Sequence, residues 1–262
     1  MWLGLTTTLA TAQPAPSPTY SPPAQVTQRL QTLAARSGGI ATFRSLGKSA
    51  GGQELPLITI GRGNVTAKPA LLVVAGLDGT HLAGTELAVQ LAEKMLTAKS
   101  DSVTRPLDTK TIYILPLLNP DAQAQAFGKL RYERSGNGSA TDDDRDGRLD
   151  EDGPEDLNGD GLITTLRVED PTGQYMISKT DPRLLVKADP TKGEQGRYRL
   201  LTEGIDNDKD GQFNEDGPGG INLNRNFTYD YEPFKPGTGE FPASETENRA
   251  LMDWLYATPN VY

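Results

Sequence analysis

Residues 70–86 read Ala-Leu-Leu-Val-Val-Ala-Gly-Leu-Asp-Gly-Thr-His-Leu-Ala-Gly-Thr-Glu. The first six form a continuous apolar run, the pattern of a strand buried on both faces. Gly76-Leu-Asp-Gly-Thr80 breaks that run, and apolar residues at helical spacing follow from Leu82 to about Leu96. Thr111-Ile-Tyr-Ile-Leu115 reads as a second buried strand, ending in Pro116-Leu-Leu-Asn-Pro-Asp121. Strand, helix and strand with apolar strands predict an α/β fold: a mixed, mostly parallel sheet with helices on both faces.

Working outward, Val26–Ala35 has helical apolar spacing and stops at Gly38-Gly39. Phe43–Gly47 and Leu55–Ile60 flank Ser49-Ala-Gly-Gly52 and predict a hairpin. From Gly128 to Gly220 apolar residues thin out and Asp, Gly and Pro dominate, which predicts a loop-rich insertion and not a separate domain, because little surface can be buried there. Regular structure is expected again from about Ser244 to Tyr256, with Ser244 and Glu247 spaced as a capping box. Pro259-Asn-Val-Tyr262 reads like the start of a further strand, so the domain is expected to be incomplete at its C-terminus.

The start of the chain, residues 1–13, is expected to be the remnant of a signal peptide: a short apolar stretch ends in Ala10-Thr11-Ala12, a small-x-small cleavage pattern. A disordered tail is the alternative. Residues 14–23 form a Pro/Ser-rich linker. The carboxyl-terminal unit then spans 24–262, with the acidic insertion at 135–220. The expected location is secreted or periplasmic. No apolar run of about 18 residues exists, so no membrane span is expected. A net charge of −9 argues against nucleic acid as a partner. With no cysteine and one histidine, His81, any metal site in this chain relies on that imidazole and carboxylates.

In open α/β sheets ligands bind beyond the carboxyl ends of the strands. Asp78–His81, Asn119–Arg134 and Ile221–Phe227 are the segments expected there. Asn224 offers an amide donor and Arg225 a two-pronged cation that matches a carboxylate. An ordinary surface ion pair of Arg225 is the competing reading.

Asn222-Leu-Asn-Arg-Asn-Phe227 resembles the Asp-Leu-Asn-Arg-Asn-Phe signature of the zinc carboxypeptidases, the carboxypeptidase A-like metallopeptidases. Other blocks arrive in that family's order. Leu46–Gly61 is similar to its hairpin, Leu115–Asp121 to its Asn-Pro-Asp turn, and Pro242–Leu251 to its Ser-Glu-Pro-Glu helix start. Arg131 and Arg134 follow Asn119 at the spacing of the family's Arg-x-x-Arg pair. The resemblance implies that Asn224, Arg225 and Arg131 bind a peptide's free C-terminal carboxylate. It implies that Arg134 polarises the scissile carbonyl. It also implies zinc, where the pattern departs. The family places His-x-x-Glu after the buried strand, whereas this chain has Asp78 at the His position and His81 at the Glu position. Both residue types are permitted zinc ligands. The family's third ligand and its glutamate base are expected beyond Tyr262.

The acidic insertion carries a second signal. Asp142-x-Asp144-x-Asp146-Gly147-x-x-Asp150 recurs as Asp206-x-Asp208-x-Asp210-Gly211-x-x-Asn214, with a shorter version at Asp156-x-Asn158-x-Asp160-Gly161. Oxygens at positions one, three and five with glycine at six form the front half of a calcium loop, although the usual glutamate at position twelve is missing. A solvated acidic loop is the alternative. Together these readings give an exported zinc metallocarboxypeptidase-like hydrolase. The alternatives are an inactive peptide-binding module and a calcium-stabilised extracellular structural domain.

Overall fold

The computed structural model describes residues 20–130, 134–142, 147–150, 153–207, 209 and 219–261. Helix α1, Pro23–Arg36, starts on a proline pair, where φ is already fixed for a helix. Its Val26 and Leu30 are fully buried. Gly38 and Gly39, at φ +62° and +88°, take up the left-handed backbone that ends the helical stretch. Strands β1, Ala41–Lys48, and β2, Glu54–Ile60, form the expected hairpin. They are followed by β3, Ala70–Val74, and α2, Leu82–Thr97. Two single turns, α3 at Asp101–Thr104 and α4 at Pro106–Thr109, lead into β4, Thr111–Leu115.

The four strands lie in the order β1-β2-β4-β3. The sheet is mixed, as expected, but its parallel share is smaller than "mostly parallel". β1–β2 and β2–β4 are antiparallel, and β3–β4 is the parallel pair. A parallel bridge from Val261 to Ala70 lies on the outer side of β3.

Period-two alternation sorts the core into two layers. Ile58, Ile60 and Ile114 face α1 and α2, where they meet Leu30, Val89 and Ala92. Leu57, Tyr113 and Leu115 face the other way, toward Leu251 and Trp254 of helix α6, Thr246–Tyr256. Tyr113 and Trp254 pack edge to face at 4.9 Å, a geometry that the ring quadrupoles favour. Helices therefore cover both faces.

One expectation gains detail and another needs correction. The loop-rich insertion also carries short strands: β5 (Thr165–Glu169), β6 (Tyr175–Ile177), β7 (Leu185–Lys187) and β8 (Tyr198–Thr202) form an antiparallel sheet in the order β5-β8-β6-β7. Ladder hydrogen bonds stabilise it where apolar burial is slight. The capping box at Ser244 is absent. Glu245 is the residue before α6, and no side chain caps that end. The Glu247 carboxylate instead accepts from the backbone N–H of Ala50, in the β1–β2 turn, at 3.0 Å. Among the described residues no helix is long and apolar enough to cross a membrane.

Candidate functional site

The segments singled out in the sequence meet at the carboxyl end of β3 and β4, and two asparagines join them. Asn119 follows β4 and caps helix α5, Pro120–Gln125, accepting from Ala122 N–H at 3.1 Å. Its amide donates to the carbonyls of Leu77 and Ser135, each at 3.2 Å. One side chain thus ties the Asp78 loop to the segment carrying Arg134. Asn137 makes the next link. Its N–H donates to Ile221 O and its Oδ1 accepts from Ile221 N–H, both at 2.9 Å. Its Nδ2 donates to Glu245 at 2.8 Å and Glu247 at 3.1 Å. Asn119 and Asn137 are fully buried, so these bonds are made away from water, where leaving them unmade is expensive. Asp121 completes the frame by accepting from Ser49 Oγ, Gly51 N–H and Gly138 N–H at 2.7, 2.8 and 3.2 Å.

The Asn224–Arg225 pair sits on a single 3₁₀ turn, Leu223–Arg225. Leu223 and Asn226, fully buried on either side, act as pegs. Leu223 enters the core, and the Asn226 amide donates to Thr238 O and Phe241 O at 2.7 and 3.1 Å. With both flanks turned inward, Asn224 and Arg225 are left exposed side by side. They line an open pocket of about 340 Å³ with Tyr229, Asp230, Glu232 and Thr238. Arg225 Nη1 donates to Pro236 O at 3.1 Å, and Nη2 stands 3.7 Å from a Glu232 carboxylate oxygen. Arg134 Nε is buried without a hydrogen-bond partner among the described residues. Arg131 lies outside the described residues.

Asp78 and His81 lie on the loop into α2. Asp78 Oδ1 accepts from Thr80 N–H and Oγ1 at 3.0 and 2.9 Å. His81 Nδ1 is 2.8 Å from the same hydroxyl and 3.7 Å from Asp78 Oδ2. This is a two-donor set, and His81 is the chain's one histidine. A catalytic zinc site takes three protein ligands and keeps one position open. Among the described residues no group of three His, Asp or Glu side chains comes together to hold a metal. The residues present therefore do not fit a zinc site by themselves. Glu86, nearby in sequence, is engaged by Arg29 at 2.8 Å.

The calcium-loop residues turn their oxygens onto their own backbone. Asp156 accepts from the N–H groups of Gly159 and Gly161 at 2.7 and 2.8 Å. Asn158 accepts from Asp160 N–H and Asp160 from Leu162 N–H, both at 2.8 Å. Asp142 accepts from Gly147 N–H at 3.1 Å, Asp150 from Thr141 N–H at 2.9 Å and Asp206 from Lys209 N–H at 2.6 Å. Asp142 Oδ1 is buried without a hydrogen-bond partner among the described residues, and no group of three acidic or histidine side chains gathers there to hold a metal. Asp144, Asp146, Asp208, Asp210 and Asn214 lie outside the described residues.

The sequence reading missed Asn137, whose Gly-Asn-Gly setting has no periodic signal, and the acidic wall of the Arg225 pocket. Asp230 and Glu232 follow the Asn-Arg pair closely enough to have been weighed as pocket residues.

A two-faced mixed sheet with an asparagine–arginine turn and an arginine loop at its carboxyl end defines a domain of the zinc carboxypeptidase type. The sequence model of that family, zinc carboxypeptidase, matches residues 26–160, just over half of the 262 residues, and the chain belongs to this family. The matched stretch holds Asp78, His81 and Arg134, while Asn224 and Arg225 lie past it. Carboxypeptidase M of Mus musculus is 28% identical over 97 residues, covering 35% of this chain and 22% of its own length. Zinc carboxypeptidase A 1 of Drosophila melanogaster is 28% identical over 96 residues, with the same shares. The chain thus spans about a fifth of these relatives. Among solved structures, carboxypeptidase A from Helicoverpa armigera superposes with a TM-score of 0.54 at 17% identity, over 92% of this chain and 43% of that one. Thrombin activatable fibrinolysis inhibitor gives 0.52 at 13% identity, over 92% and 45%. At such identities the likeness is one of fold.

Proposed function

We propose that the protein grips the free C-terminal carboxylate of a peptide with Arg225 and Asn224, beside Arg134, as the recognition part of an exported carboxypeptidase-type hydrolase. The observation that carries this reading is the pair of buried asparagine clamps, Asn119 and Asn137, which hold the three loops together. A guanidinium offers paired N–H groups to a carboxylate, and an adjacent amide adds a further donor. The buried Arg134 Nε–H, with no acceptor among the described residues, is a donor available to an oxygen of the substrate. Proteolysis by the whole protein is part of this proposal, as is export, which rests on the sequence of residues 1–13.

A second reading has its own observation. Because Asp78 and His81 supply only two donors, the same grip works without hydrolysis, as a peptide-binding module. One experiment serves both. Anisotropy of a labelled peptide with a free C-terminus, against its amidated twin, should show binding of the free acid only, weakened tenfold or more by Arg225→Ala, on the order expected for losing a charge-assisted contact. Equal binding of acid and amide would sink the carboxylate grip. Adding a chelator and following peptide cleavage separates the two readings: binding that persists beside abolished cleavage marks the hydrolase, and binding with no cleavage under either condition marks the module.

A further inference from the structure

We infer that the cleft between helix α6 and the amino end of the β1–β4 sheet is a second binding site, for a small hydroxylated anion such as a sugar acid or a sugar phosphate. The cleft measures about 470 Å³, and Thr42 and Arg44 of β1, Thr59 of β2, Tyr113 of β4, Trp254 of α6 and Asn260 line it. It lies at the other end of the sheet from the Asp78 loop. Asn260 O accepts from the N–H of Ala70, the first residue of β3, at 2.7 Å. Asn224 and Arg225 take no part in it, so the inference stands apart from the carboxylate grip.

Each part of the lining calls for a different feature of the ligand. Strand register sets Thr42 opposite Thr59 and Thr59 opposite Tyr113, which puts the three side chains in a row on one face of the sheet. None of the three hydroxyls bonds to another protein group among the described residues. A protein hydroxyl both donates and accepts, as a sugar hydroxyl does, so a row of them suits a polyhydroxylated ligand. Asn260, 8% exposed, adds a fixed acceptor. Its Nδ2 donates to Val65 O and Lys68 O at 3.0 and 2.7 Å, which holds the carboxamide in one orientation. Its Oδ1 is buried and has no donor among the described residues. Buried polar atoms are seldom left in that state, and a ligand O–H supplies the missing donor.

Arg44 supplies the charge. It is two residues on from Thr42 and so shares the face of the hydroxyl row. Its guanidinium carbon stands 6.0 Å from the ring centroid of Trp254, within cation–π range. It makes no ion pair and no side-chain hydrogen bond among the described residues. The lining holds this one cation and, among the described residues, no acid. That balance favours an anion over a zwitterionic amino acid, whose ammonium group would meet no opposite charge.

Isothermal titration calorimetry of the chain tests the inference with four probes: glucuronate, glucose 6-phosphate, glucose and inorganic phosphate. The proteins are the wild type, Arg44→Gln, Tyr113→Phe and Arg225→Ala, each checked for folding by circular dichroism and thermal melting. Tyr113→Phe removes a hydroxyl and keeps the ring that packs on Trp254. At least one sugar anion should bind the wild type about tenfold tighter than either glucose or phosphate, because only it uses the cation and the hydroxyl row together. Which of the two binds identifies the source of the negative charge. Arg44→Gln should weaken that binding about tenfold and Tyr113→Phe about fivefold, while Arg225→Ala leaves it unchanged. Binding should also weaken as salt rises. Failure of both sugar anions to bind at millimolar concentration overturns the proposal. So does glucose or phosphate binding as tightly as they do, or an affinity unaltered in Arg44→Gln or in Tyr113→Phe. A loss of binding in Arg225→Ala also overturns it, because the anions would then occupy the carboxylate grip instead.

Discussion

Gly79 leaves no room for a methyl group. A Cβ there would stand 2.3 Å from Ala122 Cβ and 2.5 Å from the carbonyl oxygen of Arg134. Carbon atoms in contact settle nearer 3.5–4.0 Å, so something would have to move. The turn after Asp78 is thus stacked directly on α5 and on the backbone that carries Arg134. Gly79→Ala should cost about 1–3 kcal/mol, the usual penalty for overpacking against backbone, and should weaken binding of a free-acid peptide by moving Arg134. Urea unfolding and the anisotropy assay check the two effects. An unchanged urea midpoint would mean that the contact is looser than these distances say. In the sequence Gly79 was legible as a turn residue, but nothing in Gly-Leu-Asp-Gly-Thr reveals that the turn backs onto Ala122, 43 positions on.

Between elements, one arginine joins α1 to α2. Arg29 donates to both Glu86 oxygens, at 2.8 and 3.0 Å, and to Glu93 at 2.8 Å. Burial is the largest single influence on the Glu86 carboxyl and pushes its pKa up, but hydrogen bonds from Arg29 and Gln90, with the Arg29 charge, outweigh it and hold the group below its ordinary value of 4.5. The sign of the pH effect follows. A carboxyl whose folded pKa is depressed adds stability that is complete above the unfolded value and is lost as pH falls through the folded one. Wild-type stability should therefore drop below about pH 4.5 in part because of this clamp. Arg29→Ala should cost about 2–3 kcal/mol at neutral pH by leaving a mostly buried carboxylate without its cation, and that loss should shrink on acidification as Glu86 takes up a proton. Urea midpoints at pH 7, 5, 4 and 3 test this; a deficit that stays constant across the series would contradict it. The helices and strands themselves were legible, because continuous apolar runs and period-3.6 stripes announce deep burial: α1, α2, the β1–β2 hairpin, β3, β4 and α6 lie where the pattern puts them. The partners of polar side chains were not. Ser244 and Glu247 have the spacing of a capping box, yet Glu247 is drawn instead to Ala50 and Asn137, residues brought near only by the folded sheet.

The described residues form two sheets built on different physics. In the β1–β4 sheet Ile58, Ile60, Ile114 and Leu115 are fully buried, and helices seal both faces. In the β5–β8 sheet Val168, Ile177 and Val186 remain 41, 39 and 41% exposed, so the ladder gains little from apolar burial. That shortage of apolar residues is why the insertion reads as loops, and why a sheet there had no sequence signal. What holds its edge is a buried carboxylate. Glu203, just past β8, accepts from the Thr164 hydroxyl and N–H and from the N–H groups of Leu157 and Asn158, which folds the Asp156 turn onto the sheet. Hydrogen bonds from Thr164, first the hydroxyl and then the backbone, keep that carboxyl below its ordinary pKa. Protein regions with few buried apolar contacts open locally, below the free energy of global unfolding, whereas central strands open only with the whole. Amides of β6 and β7 should therefore exchange with solvent about a hundredfold faster than those of β2 and β4 in native-state hydrogen exchange. Glu203→Gln should accelerate exchange in β8 and in residues 157–164 while leaving β2 and β4 unchanged, because it weakens only the acceptor that closes the insertion. Uniform protection across both sheets would show instead that the insertion and the carboxypeptidase-type sheet open as one cooperative unit.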